Sequence, residues 1–150
     1  MAKQRVRPLA ICVFSHFGKI LATESVDSVK DQAFYRPLGG RIEFGETAVE
    51  TLHRELMEEI QAEVSDLRYL ATLENIFTFQ GEMGHEIVMV FDGKLVDETL
   101  YEVPFIQRVD TASDEPFRAV WKRLSDFGPG RPPLHPDGLL ELLLEMQPPA

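Results

Sequence analysis

Apolar residues along this chain come in short runs separated by polar or glycine-containing turns, a pattern typical of β-strands. Residues 6–14 form the first run, and a turn at residues 16–19 leads into residues 20–23, so these runs predict a hairpin. Residues 33–38 should be extended, because Pro37 disfavours helical backbone at the residue before it. The two glycines that follow are predicted to end this strand.

The segment after these strands carries a helical pattern. Thr47 and Glu50 have the spacing of a capping box, which predicts that a helix begins near Thr47. At about 100° per residue, one stripe of this helix is apolar, formed by Val49, Leu52, Leu56 and Ile60. The acids Glu55, Glu58 and Glu59 fan out along one flank, so the predicted orientation of the helix keeps three carboxylates together.

The second half of the chain predicts a long hairpin. Residues 67–79 and 87–96 have the composition of strands, and the loop between them at residues 80–84 contains two glycines. Residues 97–116 are acidic and predict irregular structure. The hairpin should therefore form the body of a sheet.

The C-terminal third predicts one more strand and one more helix. Residues 117–122 alternate between apolar and polar, as a half-buried strand does. After a loop rich in proline and glycine, Asp137 is placed to cap a helix over residues 139–146. Two helices separated along the chain can cover opposite faces of one sheet. We therefore predict an α/β fold with a mixed sheet between helices.

The composition limits domain organisation and partners. A length of 150 residues suits one domain with its own hydrophobic core, so a single domain is predicted over residues 1–150. The net charge of −10 argues against nucleic acid or an anionic membrane as the main partner, since both attract basic surfaces.

Cysteine content and hydropathy bear on the compartment. Cys12 is the only cysteine, so no intrachain disulfide can form and a reducing compartment is expected. Its position within an apolar run indicates a buried side chain rather than a nucleophile. The first apolar run is too short for the core of a signal peptide, and no stretch approaches the roughly 20 apolar residues of a membrane helix. We expect a soluble, cytoplasmic protein.

The three helical carboxylates are the main chemical signal. Oxygen ligands held this close repel one another, and Mg²⁺ or Mn²⁺ relieves that repulsion while accepting phosphate oxygens from a substrate. The same composition also suits an ordinary exposed helix, because Glu50, Arg54 and Glu58 have the i, i+4 spacing of surface ion pairs. The helix alone leaves both interpretations open.

A longer pattern that includes this helix resembles the Nudix box. That motif begins with a glycine, has a glutamate six residues later, and ends in an arginine, a glutamate cluster and a glycine. The matching residues are Gly40, Glu46, Arg54, Glu55, Leu56, Glu58 and Glu59. Gln61 stands where the family has its last glycine, and Ala62 takes the aliphatic position after it. Non-glycine residues with left-handed backbone cost about 1 kcal/mol, so Gln61 bears on the loop after the helix and removes no metal ligand.

The Nudix resemblance implies a fold, a reaction and a set of metal ligands. The fold is an α/β/α sandwich, and the reaction is attack of water on a phosphorus of a nucleoside diphosphate linked to another group. Mg²⁺, with Mn²⁺ as an alternative, would neutralise the pyrophosphate. By position in the motif, the implied ligands are Glu55, Glu58, Glu59 and the backbone carbonyl of Gly39 or Gly40.

The same resemblance gives other residues further roles. Arg54 is expected to orient the carboxylates through Glu46, whose oxygens match the guanidinium fork, and a structural salt bridge describes this pair equally well. Family members commonly add a carboxylate from outside the motif as metal ligand or general base. Glu115, directly before the strand at residues 117–122, and Glu86, at the start of an earlier strand, are the candidates.

The sequence leaves the substrate open beyond its pyrophosphate. Tyr35, Phe77, Phe79 and Trp121 offer faces for stacking a nucleobase, although aromatic side chains more often belong to the core. We expect a small-molecule nucleotide as the partner, with neither nucleic acid nor membrane, and the sequence leaves a homodimer open.

Two other functions fit parts of the pattern. A Nudix-fold sensor would bind a nucleotide without hydrolysing it, but such a protein is expected to lose acids of the motif, and this chain keeps them. Isomerase chemistry on a diphosphate ester would need an additional active-site cysteine or glutamate, a role for which Cys12 is poorly placed. We therefore predict Mg²⁺-dependent pyrophosphate hydrolysis, with the sensor as the alternative.

Overall fold

The computed structural model describes residues 4–146, and within them the chain forms a mixed eight-stranded sheet with helices on both faces. The strands are β1 Val6–Val13, β2 Ser15–His16, β3 Lys19–Asp27, β4 Gln32–Arg41, β5 Val64–Phe79, β6 Glu82–Leu95, β7 Phe105–Val109 and β8 Pro116–Arg123. The helices are α1 Ala48–Ile60 and α2 Leu139–Met146, with short 3-10 helices at Glu98–Tyr101 and Leu124–Asp126. The strand order is β5, β6, β1, β4, β3, β8, β7, and β2 pairs with β3.

The sheet separates two hydrophobic cores. Side chains of residues 9–14 alternate between the two sides, as the pleat of a strand requires. On one side, α1 contributes Leu52, Leu56 and Ile60; on the other, α2 contributes Leu139 and Leu143. The predicted α/β arrangement with a mixed sheet between helices is confirmed.

The predicted hairpin between the first two apolar runs is wrong. β1 pairs in parallel with β6 and antiparallel with β4, whereas β3 pairs with β4 and β8. The turn after His16 closes only the two-residue β2 onto β3. The parallel pairing aligns Val6 with His85, so the β6 partner of β1 is too distant along the chain for any turn to indicate it.

Two further differences concern the end of β4 and the presence of β7. β4 continues through both glycines to Arg41, so the predicted end at Gly39 and Gly40 is wrong. The region predicted to be irregular contains β7, which pairs with β8. The hairpin of β5 and β6 is present, and both strands are longer than predicted. These corrections matter because β4 and the loop after β7 both reach the acidic flank of α1.

Cys12 lies in the core on the α1 side, with no exposed surface. Burial raises the pKa of its thiol well above the ordinary value of 9.0. The expectation of a buried rather than nucleophilic cysteine agrees with this environment. Across residues 4–146, helices long and apolar enough to cross a membrane are absent.

Candidate active site

Local signals fix how α1 lies on the sheet. Thr47 Oγ1 accepts the N–H of Glu50 at 3.1 Å, and the Glu50 carboxylate accepts the N–H of Thr47 at 2.9 Å. This capping box sets the start of the helix. The apolar stripe then packs on the sheet, although Val49 at its N-terminal end is 39% exposed. As a result, the acidic flank of α1 faces the end of β4.

Two glycines of β4 contact the acids of α1, one by making room for a side chain and the other through its N–H. A Cβ atom at Gly40 would lie 2.4 Å from Cδ of Glu55, so the Glu55 side chain occupies the space that any other residue would fill. Gly39 has a φ of +145° and donates its N–H to Glu59 Oε1 at 3.3 Å. The backbone of β4 is therefore the floor of an acidic cluster, defined here as Glu55, Glu58 and Glu59.

Arg54 connects this cluster to the loop before α1. Its Nε and Nη2 donate to Glu46 at 2.7 and 2.9 Å, which is the predicted bidentate pair. Its Nη1 donates to Glu55 at 2.9 Å and to Glu58 at 3.3 Å. The guanidinium lowers the pKa of Glu46 to about 2. Arg54 thus forms ion pairs with two members of the cluster, and its pair with Glu46 fixes the position of the guanidinium.

Glu59 is the most perturbed acid of the cluster. It is 8% exposed, and burial, followed by the charges of Glu55 and Asp110, raises its pKa to about 9. Burial also raises the pKa of Glu55, against the lowering effect of Arg54. Carboxylates that are both buried and close to one another are electrostatically unfavourable unless a cation joins them.

The residues of the cluster fit a hard divalent cation. Among residues 4–146, no three His, Cys, Asp or Glu side chains are already gathered as a metal site, and Arg54 holds Glu55 and Glu58. The carboxylate oxygens of the cluster support a metal site, because they are partly buried and repel one another. Mg²⁺ and Mn²⁺ prefer such oxygen ligands and would relieve the repulsion.

Asp110 is a candidate that the sequence reasoning missed. It lies just after β7, and its negative charge acts on both Glu55 and Glu59. The loop at residues 110–115 is attached to α1, because Thr111 donates its N–H to the Glu58 carbonyl at 2.9 Å. Glu115, the residue proposed from sequence, is exposed and lies opposite Asp110 where the loop closes, since its carbonyl accepts the N–H of Asp110 at 2.8 Å.

Gln61 takes the conformation that the family glycine would adopt. Its φ of 50° and ψ of 46° are left-handed, and its N–H bonds to the carbonyls of Leu56 and Met57. The side chain reaches further, since Nε2 donates to the Glu58 carbonyl at 2.9 Å and to the Val109 carbonyl at 3.0 Å. Gln61 therefore links the end of α1 to β7 and to the loop that carries Asp110.

Glu86 lines a separate cavity of about 320 Å³, between the β3–β4 hairpin and the β5–β6 hairpin. Phe77 and Phe79, two of the four aromatic residues proposed for stacking, line the same cavity. Arg36 lines it as well, and its positive charge acts to lower the pKa of Glu59. Arg36 therefore lines the cavity and also acts electrostatically on the acidic cluster. We refer to this space as the hairpin cavity.

The other two aromatic candidates lie outside the lining of the hairpin cavity. Tyr35 is buried and its hydroxyl bonds to Glu24, which, with burial, raises the Tyr35 pKa to about 12. Trp121 stacks on Tyr101 and donates its indole N–H to the Leu100 carbonyl at 3.1 Å. A larger groove of about 700 Å³ lies beside Tyr101, and its lining contains none of the motif acids.

Comparison with known proteins identifies the family of the chain. The model of the NUDIX domain matches residues 3–139. The chain belongs to the Nudix family. Together with its hydrolase neighbours, this match confirms the predictions of Nudix membership and of a Nudix-type hydrolase.

Solved Nudix structures share the fold at low sequence identity. The solution structure of the E. coli ORF135 protein is 23% identical, with 95% of this chain and 91% of that chain covered and a TM-score of 0.58. A MutT NUDIX hydrolase from Burkholderia pseudomallei is 18% identical, with 93% and 98% covered and a TM-score of 0.58.

Curated relatives match over a shorter segment. The NAD-capped RNA hydrolase NudC of Pseudomonas syringae pv. syringae is 37% identical over 65 residues, which cover 43% of this chain and 23% of that protein. The corresponding protein of Pseudomonas syringae pv. tomato is 32% identical over 68 residues, covering 45% and 24%. The matched segment therefore spans about a quarter of the length of these relatives.

Proposed function

We propose that this Nudix protein hydrolyses a pyrophosphate bond in a nucleotide or nucleotide-linked metabolite, with Mg²⁺ as cofactor and Mn²⁺ as a substitute. The observation that carries the proposal is the acidic cluster, in which the buried Glu59 and the half-buried Glu55 lie against the Gly39 and Gly40 backbone of β4. A surface helix would leave these acids solvated and would not require Gly40 beneath Glu55. The alternative of an ordinary exposed helix is therefore disfavoured.

Metal bound here would supply positive charge for the phosphate oxygens and lower the pKa of a water molecule. Glu55, Glu58 and Glu59 would hold it, and the Gly39 and Gly40 backbone is next to them. Arg54 orients two of these carboxylates through its contacts with Glu55 and Glu58.

The reaction also needs a group that accepts the proton of the attacking water. We assign this role to Asp110, whose charge acts on Glu55 and Glu59. The water oxygen forms a bond to phosphorus, the bridging P–O bond breaks, and its electrons leave with the second phosphate product. Glu115 and Glu86 remain candidates from sequence, but Glu115 is exposed and Glu86 lines the hairpin cavity instead.

The nucleoside part of the substrate fits the hairpin cavity. Phe77 and Phe79 supply apolar aromatic surface, and Arg7, Lys30 and Arg36 supply positive charge for phosphate. The protein is otherwise strongly acidic, with a net charge of −10, which supports a small nucleotide rather than a long nucleic acid as the substrate.

The decisive experiment compares the protein with Glu59→Gln on a substrate panel. The panel contains nucleoside di- and triphosphates, nucleotide sugars, dinucleotides including NAD, and an NAD-capped RNA, each with Mg²⁺ or with a chelator. We expect metal-dependent product release that falls by about 100-fold or more in Glu59→Gln. Glu63→Gln, at an exposed acid just past the helix, is the matched control and should retain activity. Nucleotide binding without turnover of any compound would support the sensor instead.

A further inference from the structure

The wall of the hairpin cavity contains a buried polar pair. Asn75 in β5 and Glu86 in β6 are register partners and are 4% and 9% exposed. Asn75 Oδ1 accepts the N–H of Asp137 at 3.2 Å, which turns the amide nitrogen toward Glu86. That nitrogen donates to Glu86 Oε1 at 3.4 Å. Within residues 4–146, the Glu86 carboxylate accepts no other hydrogen bond than this long one. Most of the acceptor capacity of the carboxylate is therefore unused.

Flat aromatic surface lies beside this carboxylate. Phe34 packs edge-to-face against Phe79, with ring centroids 5.8 Å apart, and against His135 at 5.2 Å. Both phenylalanines, His135 and Glu86 line the cavity together. Such a combination recognises a planar aromatic ligand that presents N–H donors along one edge.

We propose, on the basis of the proposed function, that the hairpin cavity selects guanine nucleotides and that Glu86 reads the base. Guanine places a ring N–H next to an exocyclic amino group, so both oxygens of a carboxylate can accept a hydrogen bond from it. Adenine and cytosine place a ring nitrogen acceptor beside the amino group, and its lone pair would face the second oxygen. Hypoxanthine, uracil and thymine lack the amino group beside the ring N–H.

The size of the preference follows from the two hydrogen bonds. A good bidentate contact discriminates against the wrong base by roughly 10- to 100-fold. Burial strengthens this effect, because a base without the second donor leaves a desolvated carboxylate oxygen unpaired. Inosine nucleotides are the sharpest comparison, since they differ from guanosine nucleotides only in the amino group.

The test measures base selectivity by two independent routes. One is kcat/KM for GTP, ITP, ATP and CTP with Mg²⁺; the other is the Kd of GMP, IMP and AMP without metal. We expect GTP and GMP to be preferred over the inosine and adenosine compounds by about 10- to 100-fold. Glu86→Gln replaces one acceptor by a donor, so the preference for guanine should disappear. The kcat/KM for ATP and the affinity for AMP should rise, because an amide pairs with the donor and acceptor of adenine. Glu82→Gln, at an exposed acid on the same hairpin, should change neither quantity.

The outcomes separate this inference from the proposed function. Preferential binding of GMP that Glu86→Gln abolishes, without hydrolysis of any nucleotide, supports base recognition and contradicts the proposed hydrolysis. Hydrolysis and binding that do not distinguish guanosine from inosine compounds overturn the inference and leave the hydrolase intact. This comparison uses the unaltered protein, so the result does not depend on whether Glu86→Gln folds.

Discussion

At the scale of single residues, Glu59 combines its proposed role as a metal ligand with a cost in stability. Burial and the charges of Glu55 and Asp110 raise its pKa from the ordinary 4.5 to about 9. The folded protein therefore holds this proton more tightly than the unfolded chain between those two pH values. By linkage, the contribution of Glu59 to stability is complete below pH 4.5 and is lost as the pH rises toward 9.

This shift predicts how Glu59→Gln changes the free energy of unfolding. A glutamine keeps the shape of the side chain and removes the charge, so in the presence of a chelator at pH 8 the variant should be more stable by about 1 kcal/mol or more. The difference should vanish near pH 4.5. Urea unfolding at several pH values measures it, and parallel stability profiles for the two proteins would contradict the prediction. Added Mg²⁺ should stabilise the unaltered protein more than the variant.

The residues of the acidic cluster were predictable because their signals are local. Capping box, apolar stripe and glutamate spacing all lie within one helix, and the structure retains each of them with Val49 partly exposed. Asp110 was not predictable in this way. Its electrostatic effect on Glu55 and Glu59 depends on the position of β7, and the pairing of β7 with β8 is not evident from the sequence of β7 alone.

At the scale of elements, the junction between α1 and β7 is the departure from the family motif. Gln61 provides the left-handed turn and also joins the Glu58 and Val109 carbonyls through its side chain. Thr111 adds a second bond from the Asp110 loop to the same helix end. The junction therefore positions a candidate proton acceptor against the acidic cluster.

Gln61→Gly tests whether this junction matters for activity. Glycine adopts the left-handed conformation without strain, so the free energy of unfolding should stay within about 1 kcal/mol of the original. Loss of the link to β7 should lower kcat several-fold and raise the Mg²⁺ concentration needed for half-maximal rate. Gln61→Asn, which also tolerates this conformation but has a shorter arm, should show the same loss of the link. Full activity in both variants would show that Gln61 only ends the helix and that its side-chain link to β7 does not affect activity.

At the scale of the whole molecule, the hairpin cavity depends on contacts between two hairpin tips. Gln80 Oε1 accepts hydrogen bonds from Ser28 N at 2.9 Å and Ser28 Oγ at 2.7 Å, and Lys30 Nζ donates to the Thr78 carbonyl at 2.7 Å. The strands that carry these tips belong to different parts of the sheet, since β3 and β6 are not neighbours. The sequence predicted the β5–β6 hairpin but not its contact with the other tip, because nothing local encodes it.

Gln80→Gly should loosen the cavity while leaving the acidic cluster unchanged. Glycine accepts the left-handed backbone at this position, where φ is 51°, so the turn is retained while the bonds to Ser28 are lost. We expect the KM for nucleotide to rise about 3- to 10-fold with little change in kcat, since uniform binding is weakened and the reacting groups are untouched. Steady-state kinetics measures both constants. A fall in kcat at constant KM would show that the tips act on the chemical step.

Cys12 can serve as an internal reporter of how often the core on the α1 side opens. Its sulfur is enclosed to the point that a Cβ atom at Gly93 would lie 2.9 Å from it, and it is the single thiol of the chain. An alkylating reagent must therefore wait until the core on the α1 side opens. At reagent concentrations where alkylation is faster than reclosing, the rate at which the mass increases by one label equals the rate of opening. Ligands that stabilise the closed core can be ranked by how far they lower the rate of Cys12 alkylation, with no probe added to the chain.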